Sequence, residues 1–374
     1  MSRHIDYYFL TISAALLAFG LLFLATLSSI ISLQTFGNTH YYIFHQLISV
    51  AIGLIAAAIA YKIPLHFLKR ISPVLLILNA LTLLAVFLPV VGTKLGGASR
   101  WINIGGLAFQ PSEFFKVTAI LYLSAWLSNK YSQQRKKGWT AGIQKNYQDT
   151  IKIYLPFLIF LAIIAVLLLL QRDLSTLGII SASLITVYFM AGTPFWQTLA
   201  TLVSGAGAAI LLILAKPYRF DRLLIFLHPE TDPLGIGRQV KQSIIAIGSG
   251  GLFGKGLGMS TQKFGFLPEA MSDSMFAILG EETGIFGSII LISLFVGFIW
   301  LAFKIAKSAT DTFSKLTAAG ISTWIVFQAF INIASAIGLF PLSGIPLPFF
   351  SYGGSHVIAE LIGVGLILNI SRNG

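Results

Sequence analysis

Apolar runs of about 20 residues, the length that crosses a bilayer, recur along the chain and constrain its fold more than any other feature. At a rise of about 1.5 Å per residue, a helix of this length spans the hydrocarbon core. The runs lack the alternation of a transmembrane β-strand, and backbone amides in hydrocarbon must be paired within a helix or a closed barrel. We therefore predict an all-α, polytopic membrane protein of about ten transmembrane helices. The predicted spans are 8–31, 41–61, 73–91, 112–129, 152–170, 174–192, 194–215, 273–303, 314–340 and 345–370.

The first apolar run is predicted to be a permanent helix. It is too long for the hydrophobic region of a signal peptide, and no convincing cleavage site follows it. No internal repeat is evident, which argues weakly against transporter folds that are built from inverted repeats. We therefore treat residues 1–374 as a single membrane domain.

The distribution of basic residues predicts the orientation. The net charge is +12, and with the N-terminus inside, the short inner loops are clearly basic, most densely over 130–152. This places both termini in the cytoplasm. Topology and anionic lipid explain these cations, and no aromatic-basic module accompanies them, so we reject a nucleic-acid partner. The chain has no cysteine, which excludes disulfides, thiolate chemistry and zinc-thiolate sites.

Two outer connections, 92–111 and 216–272, are long. The second, which precedes the eighth span, is rich in glycine but keeps apolar residues, and its amphipathic stretches 220–228 and 236–247 predict short helices. We expect this extracytoplasmic loop to be ordered. Its cations, Arg219 and Arg222 among them, can be read as an ordinary solvated surface. Because they lie outside, against the usual topological bias, they also suggest an anionic ligand such as a lipid pyrophosphate.

Glu113 and Lys116 lie at membrane depth, where an ionisable side chain is costly. They are three residues apart and share one helix face, and Pro111 suits the first helical position. One reading is a structural ion pair that closes a helix end. The other is that the pair borders a hydrophilic cavity together with Arg100.

Asp273 opens the eighth predicted span, with Glu281 and Glu282 two turns deeper. At about 100° per residue the three carboxylates cannot all face one ligand. We expect one of the glutamates to pair with another helix and both to be structural. For Asp273 the sequence alone leaves two readings open, an ordinary capping carboxylate at a helix start and a catalytic group.

Three long segments carry a resemblance to a known family. They are GASRWINIGGLAFQPSEFFK (97–116), the run 243–284 that contains Asp273, and QAFINIASAIGLFPLSGIPLPFFSYGGS (328–355), with lesser matches at Asp6 and at LQRDLST (170–176). In these segments the chain resembles the SEDS family of lipid-linked peptidoglycan glycosyltransferases. The sequence departs from the family pattern at Arg172, where proline is usual, at Arg238, where tyrosine is common, and at His356, where a second serine is usual. Features of the segments point both to division-type and to elongation-type members, with a slight lean toward division.

The resemblance implies an enzyme that polymerises lipid II into glycan strands at the outer face of the bacterial cytoplasmic membrane. Its partners would be lipid II and a class B penicillin-binding protein, and the family's catalytic aspartate falls on Asp273. The residues that we expect to bind substrate are Arg100, Glu113, Lys116, Arg219, Arg222, Arg238, Gln239, Lys255 and Ser351.

The chemistry of such a reaction needs only one carboxylate. Glycosidases use two, but a sugar on a lipid pyrophosphate already has a good leaving group. Asp273 would act as the general base toward the acceptor 4-hydroxyl, giving inversion and a β-1,4 link, while cations stabilise the departing pyrophosphate. The only cofactor we consider is a divalent cation, Mg²⁺ or Mn²⁺, although no metal-ligand spacing argues for one. The alternative functions are a lipid II flippase and a scaffold for a penicillin-binding protein.

Overall fold

Helices dominate the architecture. The computed structural model describes residues 5–88, 92–95, 98–104, 107–136 and 150–373. In these ranges it contains twelve α-helices and one small sheet. The helices are α1 (Tyr7–Phe36), α2 (Tyr41–Lys62), α3 (Leu65–Ala85), α4 (Pro111–Lys136), α5 (Leu155–Leu170), α6 (Leu174–Met190), α7 (Phe195–Leu214), α8 (Pro217–Leu227), α9 (Ile236–Gly250), α10 (Met275–Ser308), α11 (Thr312–Ala336) and α12 (Gly354–Asn373).

Eight helices of the described ranges are long and apolar enough to cross a membrane. They are α1, α2, α3, α5 with the residues just before it, α7, α10, α11 and α12. Helix α6 is apolar but has only 17 residues, and α4 occupies the remaining predicted span. The all-helical membrane bundle is thus confirmed, whereas the count of ten spans is not.

The core of the bundle is formed by α11 and α12, which are the most deeply buried of the spanning helices. By contrast, α3 and α7 turn most of their apolar side chains outward, as lipid-facing helices do. The predicted cluster of inner cations at 130–152 falls largely outside the described residues.

The connection 92–111 contains a three-stranded antiparallel sheet that the sequence did not predict. Its strands are β1 (Gly92–Leu95), β2 (Ala98–Ile104) and β3 (Leu107–Phe109), with Ile102 paired with Phe109. Strands β1 and β3 are too short to leave a clear periodic pattern, and the sequence of β2, ASRWINI, does not alternate between apolar and polar residues. The sheet carries Arg100 to the end of the bundle where α6 begins.

The last predicted span, 345–370, begins too early. Helix α12 starts only at Gly354, and the preceding span stops at Ala336, so that residues 337–353 are not helical. Prolines at positions 341, 346 and 348 explain this, because proline lacks the amide that a helix interior needs. The non-helical segment forms part of the wall of the site described below.

The loop 216–272 is ordered, and its two predicted helices are confirmed as α8 and α9. Helix α9 packs closely on the start of α10, since a Cβ atom on Gly250 would lie 2.0 Å from the Gly280 carbonyl oxygen. Helix α10 has a non-helical residue at Gly284, where φ is 65°. A side chain there would meet the Gly254 nitrogen at 2.5 Å, so both the backbone angle and the packing require glycine.

Candidate active site

Asp273 lies just before α10 and does not cap it. The N-cap residue is Ser274, which makes no side-chain capping bond, so the capping interpretation of Asp273 is wrong. The Asp273 side chain is half-buried. No hydrogen bond or ion pair to its carboxylate is found within the part of the chain that the structure describes. The carboxylate is therefore available to a ligand.

Asn332 of α11 fixes the backbone at Asp273. Its buried side-chain amide donates to the Asp273 carbonyl oxygen at 3.0 Å and to the Ile345 carbonyl oxygen at 2.8 Å. One amide group thus joins the residue before α10 to the non-helical segment 337–353. This contact was missed by sequence reasoning, although Asn332 lies in one of the resembling segments.

Ser351 is a second link between these two segments. It is fully buried, donates to the Ser272 carbonyl oxygen, and accepts from the Leu347 amide at 2.8 Å. The sequence predicted Ser351 to bind substrate. The Ser351 hydroxyl uses both its donor and an acceptor position for backbone groups, so the structure places Ser351 in a supporting position beside Asp273.

A cavity of about 510 Å³ opens beside Asp273. Its walls come from α6, α8, the ends of α7 and α11, and the segment 340–345. Gly344 lines the cavity, and a Cβ atom on it would lie 3.6 Å from Asp273 Oδ2. The carboxylate therefore sits at the edge of the cavity.

Four arginines line this cavity: Arg100, Arg172, Arg219 and Arg222. The sequence predicted three of them as substrate-binding residues. It did not include Arg172, although the departure from the family's proline marked that position. The remaining lining is mostly aliphatic. A low-dielectric pocket with several guanidinium groups favours an anion that carries an apolar tail.

The arginines are oriented mainly by backbone carbonyls. Arg100 donates to the carbonyl oxygens of residues 171 and 172 and lies 3.7 Å from the buried Asp173 carboxylate. Arg219 donates to the Leu212 carbonyl oxygen at 2.9 Å, and Arg222 to the Leu342 carbonyl oxygen at 3.5 Å. The acceptors of Arg219 and Arg222 are neutral carbonyl oxygens, so these two guanidinium groups keep their positive charge for an anion.

The protonation of Asp273 is shifted by this environment. Burial raises the pKa of Asp273 to about 6, and the nearby Glu269 carboxylate raises it further. Arg222 and Arg100 oppose the shift. A carboxylate with a pKa near 6 is largely ionised at neutral pH and is still basic enough to accept a proton.

Glu113 and Lys116 do not line the cavity with Arg100. They form a buried ion pair of 2.8 Å on α4. Lys116 also donates to Gln328 Oε1 at 2.8 Å and lies 4.8 Å from the centre of the Trp324 ring. The structure therefore supports the first of the two readings, an ion pair that ties α4 to α11.

Three further predicted substrate residues lie in the loop region outside the cavity lining. Lys255 pairs with Glu281 at 2.7 Å, and Arg238 donates to the carbonyl oxygens of residues 265 and 266. Gln239 donates to the buried Ser274 hydroxyl at 3.0 Å, one residue from Asp273. Lys255 and Arg238 thus hold the loop together, while Gln239 supports the start of α10.

Glu281 and Glu282 are buried and structural, as expected, but their partners differ from the prediction. Among the described residues, neither is seen to pair with another spanning helix. Glu281 accepts from Ser260 and Thr261, and Glu282 lies 3.7 Å from Lys263. Both carboxylates therefore fasten the loop segment 255–263 to α10.

Metal binding has little support from the side chains. In the described ranges, no group of three or more His, Asp or Glu could hold a metal ion. Asp273 lies at the cavity edge, and the charged groups near it are the Glu269 carboxylate and the guanidinium groups of Arg222 and Arg100. The proposal of a divalent cation stays a prediction.

The fold and the site together define a multi-pass membrane protein with an arginine-lined cavity, at whose edge lies a carboxylate that has no hydrogen-bond or ion-pair partner among the described residues. A sequence profile of the FtsW/RodA/SpoVE family, described as cell cycle proteins, matches residues 7–374. The chain belongs to this family, which confirms the family predicted from the sequence.

Relatives and solved structures agree with this assignment. The chain is 37% identical to the probable peptidoglycan glycosyltransferase FtsW of Coxiella burnetii, over 98% of this chain and 96% of that protein. It is 35% identical to stage V sporulation protein E of Bacillus subtilis, over 98% and 97% of the two chains.

Among solved structures, a chain of a peptidoglycan synthase complex superposes with a TM-score of 0.77 at 25% identity, over 98% of both chains. The rod shape determining protein RodA of Thermus thermophilus superposes with a TM-score of 0.71 at 24% identity, over 98% of this chain and 97% of that one. The second comparison shows the shared fold.

Proposed function

We propose that this protein is a peptidoglycan glycosyltransferase that polymerises lipid II. The observation that carries the proposal is the position of Asp273 at the edge of an arginine-lined cavity. Its half-buried carboxylate has no hydrogen-bond or ion-pair partner in the part of the chain that the structure describes. Its relatives of similar length are named probable peptidoglycan glycosyltransferases, which supports the same reaction class.

Asp273 would be the general base. The acceptor sugar presents its 4-hydroxyl at the edge of the cavity, and the Asp273 carboxylate takes the hydroxyl proton as the oxygen attacks the anomeric carbon of the donor. Attack on the face opposite the leaving group inverts the configuration and gives a β-1,4 link. A base whose pKa is near 6 contributes roughly 10² to 10⁴ in rate at neutral pH.

The arginines would stabilise the leaving group. As the glycosidic bond breaks, negative charge builds up on the departing lipid pyrophosphate. Arg100, Arg219 and Arg222 are held in place by carbonyl oxygens, so they need not reorganise when the charge develops. The aliphatic part of the lining suits the first isoprene units of the lipid. A pyrophosphate neutralised in this way needs no acid, which fits the presence of one carboxylate.

The orientation of the chain is part of the proposal. The basic residues of the predicted inner loops support a cavity on the extracytoplasmic side of the cytoplasmic membrane, where lipid II would be polymerised. A class B penicillin-binding protein is the proposed partner, in division or elongation, because the strands made here need crosslinking. The similarity to a chain of a peptidoglycan synthase complex supports a partnership of this kind.

The test is glycan polymerisation from purified lipid II by the full-length protein with its penicillin-binding partner. We expect polymer from the wild type and none from Asp273→Ala, while both bind the partner. Unimpaired polymer from the variant would remove Asp273 from the mechanism. Movement of lipid II across the bilayer without polymer would identify a flippase. A wild type that binds its partner and makes no polymer would identify a scaffold.

A further inference from the structure

A second cavity, of about 300 Å³, adjoins the active-site cavity. The two share Arg172, Tyr218 and Arg219 as lining residues. Leu169, Leu170 and Lys216 line only the second cavity. It lies between the end of α5 and the turn that connects α7 to α8.

The polar groups of the second cavity are suited to phosphate. Three of its six lining residues are cationic, and none is acidic. Lys216 is exposed, and its side-chain amine makes no hydrogen bond or ion pair with the described part of the protein. Arg219 uses Nε and Nη1 for Tyr218 and Leu212, which leaves Nη2 for a ligand. Arginine and lysine together on a small pocket favour phosphate oxygens.

The surface below the cavity is apolar and points to a lipid. On α5 the exposed residues Ile159, Ile163, Val166 and Leu170 follow one another at helical spacing and form a stripe that ends at the cavity. Helix α7 exposes apolar side chains over its whole second half. Since both helices span the membrane, a hydrocarbon chain can lie along them while its headgroup reaches the cations.

We propose that the second cavity binds the phosphate or diphosphate of a second lipid molecule, next to the lipid in the active-site cavity. Two sources have this chemistry, a second polyprenyl diphosphate and an anionic phospholipid. If the proposed function is correct, the reaction joins two lipid-linked sugars, so two diphosphates must be held at once. The shared wall of Arg172 and Arg219 then keeps donor and acceptor at adjacent positions.

The experiment counts bound lipids. Full-length protein is placed in phosphatidylcholine nanodiscs, undecaprenyl diphosphate is added, and native mass spectrometry follows the bound species. We expect two bound molecules in the wild type. Lys216→Gln weakens only one binding event, and Arg222→Gln weakens only the other, each by roughly tenfold for the loss of a charge-assisted bond. Lys241→Gln, an exposed lysine of α9 that lines neither cavity, is the matched control.

The results separate the possibilities. A single bound molecule in the wild type, or two unchanged events in Lys216→Gln, would overturn the proposal. If phosphatidylglycerol displaces only the Lys216-dependent molecule, the cavity is a lipid-phosphate site, but its use for a second substrate is refuted. Asp273→Asn should keep both binding events and lose polymerisation. A wild type that binds two lipids and makes no polymer would refute the proposed function and leave the second site standing.

Discussion

Replacing Asp273 with asparagine should raise the stability of the protein while it abolishes activity. The substitution keeps the size of the side chain and removes its charge. In the native protein burial disfavours that charge, and the pKa of Asp273 rises from an ordinary value of 3.8 to about 6. In the unfolded chain the Asp273 carboxylate is solvated by water, so ionisation of this carboxyl opposes folding.

The magnitude follows from the size of the shift. About two pKa units at 1.36 kcal/mol each amount to at most about 3 kcal/mol. Because the side chain is partly exposed, solvent screening should reduce this to about half. The folded protein holds its proton up to about pH 6, whereas the unfolded chain releases it near pH 3.8. The contribution of the protonated Asp273 to the free energy of unfolding is therefore fully present below pH 3.8, declines as the pH rises, and is lost above pH 6.

Thermal unfolding in detergent at pH 5 and pH 8 tests this reasoning. We expect Asp273→Asn to melt a few degrees above the wild type at pH 8 and to keep only about half of that advantage at pH 5. Asp221→Asn, which removes an exposed carboxylate of α8, is the control for charge alone. Equal melting temperatures of Asp273→Asn and wild type at pH 8 would show that Asp273 is not desolvated. Polymerisation by the wild type should rise with pH through about 6, as ionisation of the base requires.

Four further substitutions test the supports of the site. Asn332→Leu leaves two carbonyl oxygens without a hydrogen bond and should lower the free energy of unfolding by about 1–3 kcal/mol for each. It should also lower kcat more than it changes KM, and an unchanged kcat would contradict the positioning role of Asn332. Lys116→Met leaves the buried Glu113 carboxylate unpaired and should lower the free energy of unfolding by about 3–5 kcal/mol. Adding Glu113→Gln to this variant should restore much of the loss, which a double-mutant cycle of melting temperatures would show. Gly284→Ala should prevent stable folding, visible as loss of the monodisperse peak in size exclusion, because its Cβ would meet backbone at 2.5 Å. Arg222→Gln should raise KM for lipid II and weaken its dependence on salt; a KM equal to the wild type would exclude a role in substrate binding.

The membrane bundle could be predicted because hydrocarbon imposes one rule on every span. Runs of apolar residues are read directly from the sequence, and the structure places helices in each of them. The prediction was wrong where this rule no longer applies. Residues 337–353 are apolar enough to be taken for the start of a helix. Three prolines keep them out of a helix, and the side-chain amides of Gln328 and Asn332 on α11 hold their backbone carbonyl oxygens.

The site could be predicted in its chemistry and only partly in its geometry. Arg100, Arg219 and Arg222 were found because cations on the outer side are unusual, and they do share one cavity. Lys255 is also a cation on the predicted outer side, but it pairs with Glu281. Nothing local in the sequence distinguishes Lys255 from the three arginines. The role of Asn332 depends on two carbonyl oxygens that come from distant segments, so no spacing rule could reveal it.

The positions of the acidic residues explain why one carboxylate is enough. Glu281 and Glu282 are close to Asp273 along the chain and could have supplied a second acid, but both are buried against the loop 255–263 and are used by its hydroxyl and amine groups. What the cavity offers instead is four guanidinium groups. A leaving group that is already a diphosphate needs its developing negative charge balanced, and arginine does this without giving up a proton. In the proposed mechanism, the single carboxylate at the cavity edge and the four arginines would therefore have one cause, the chemistry of the leaving group.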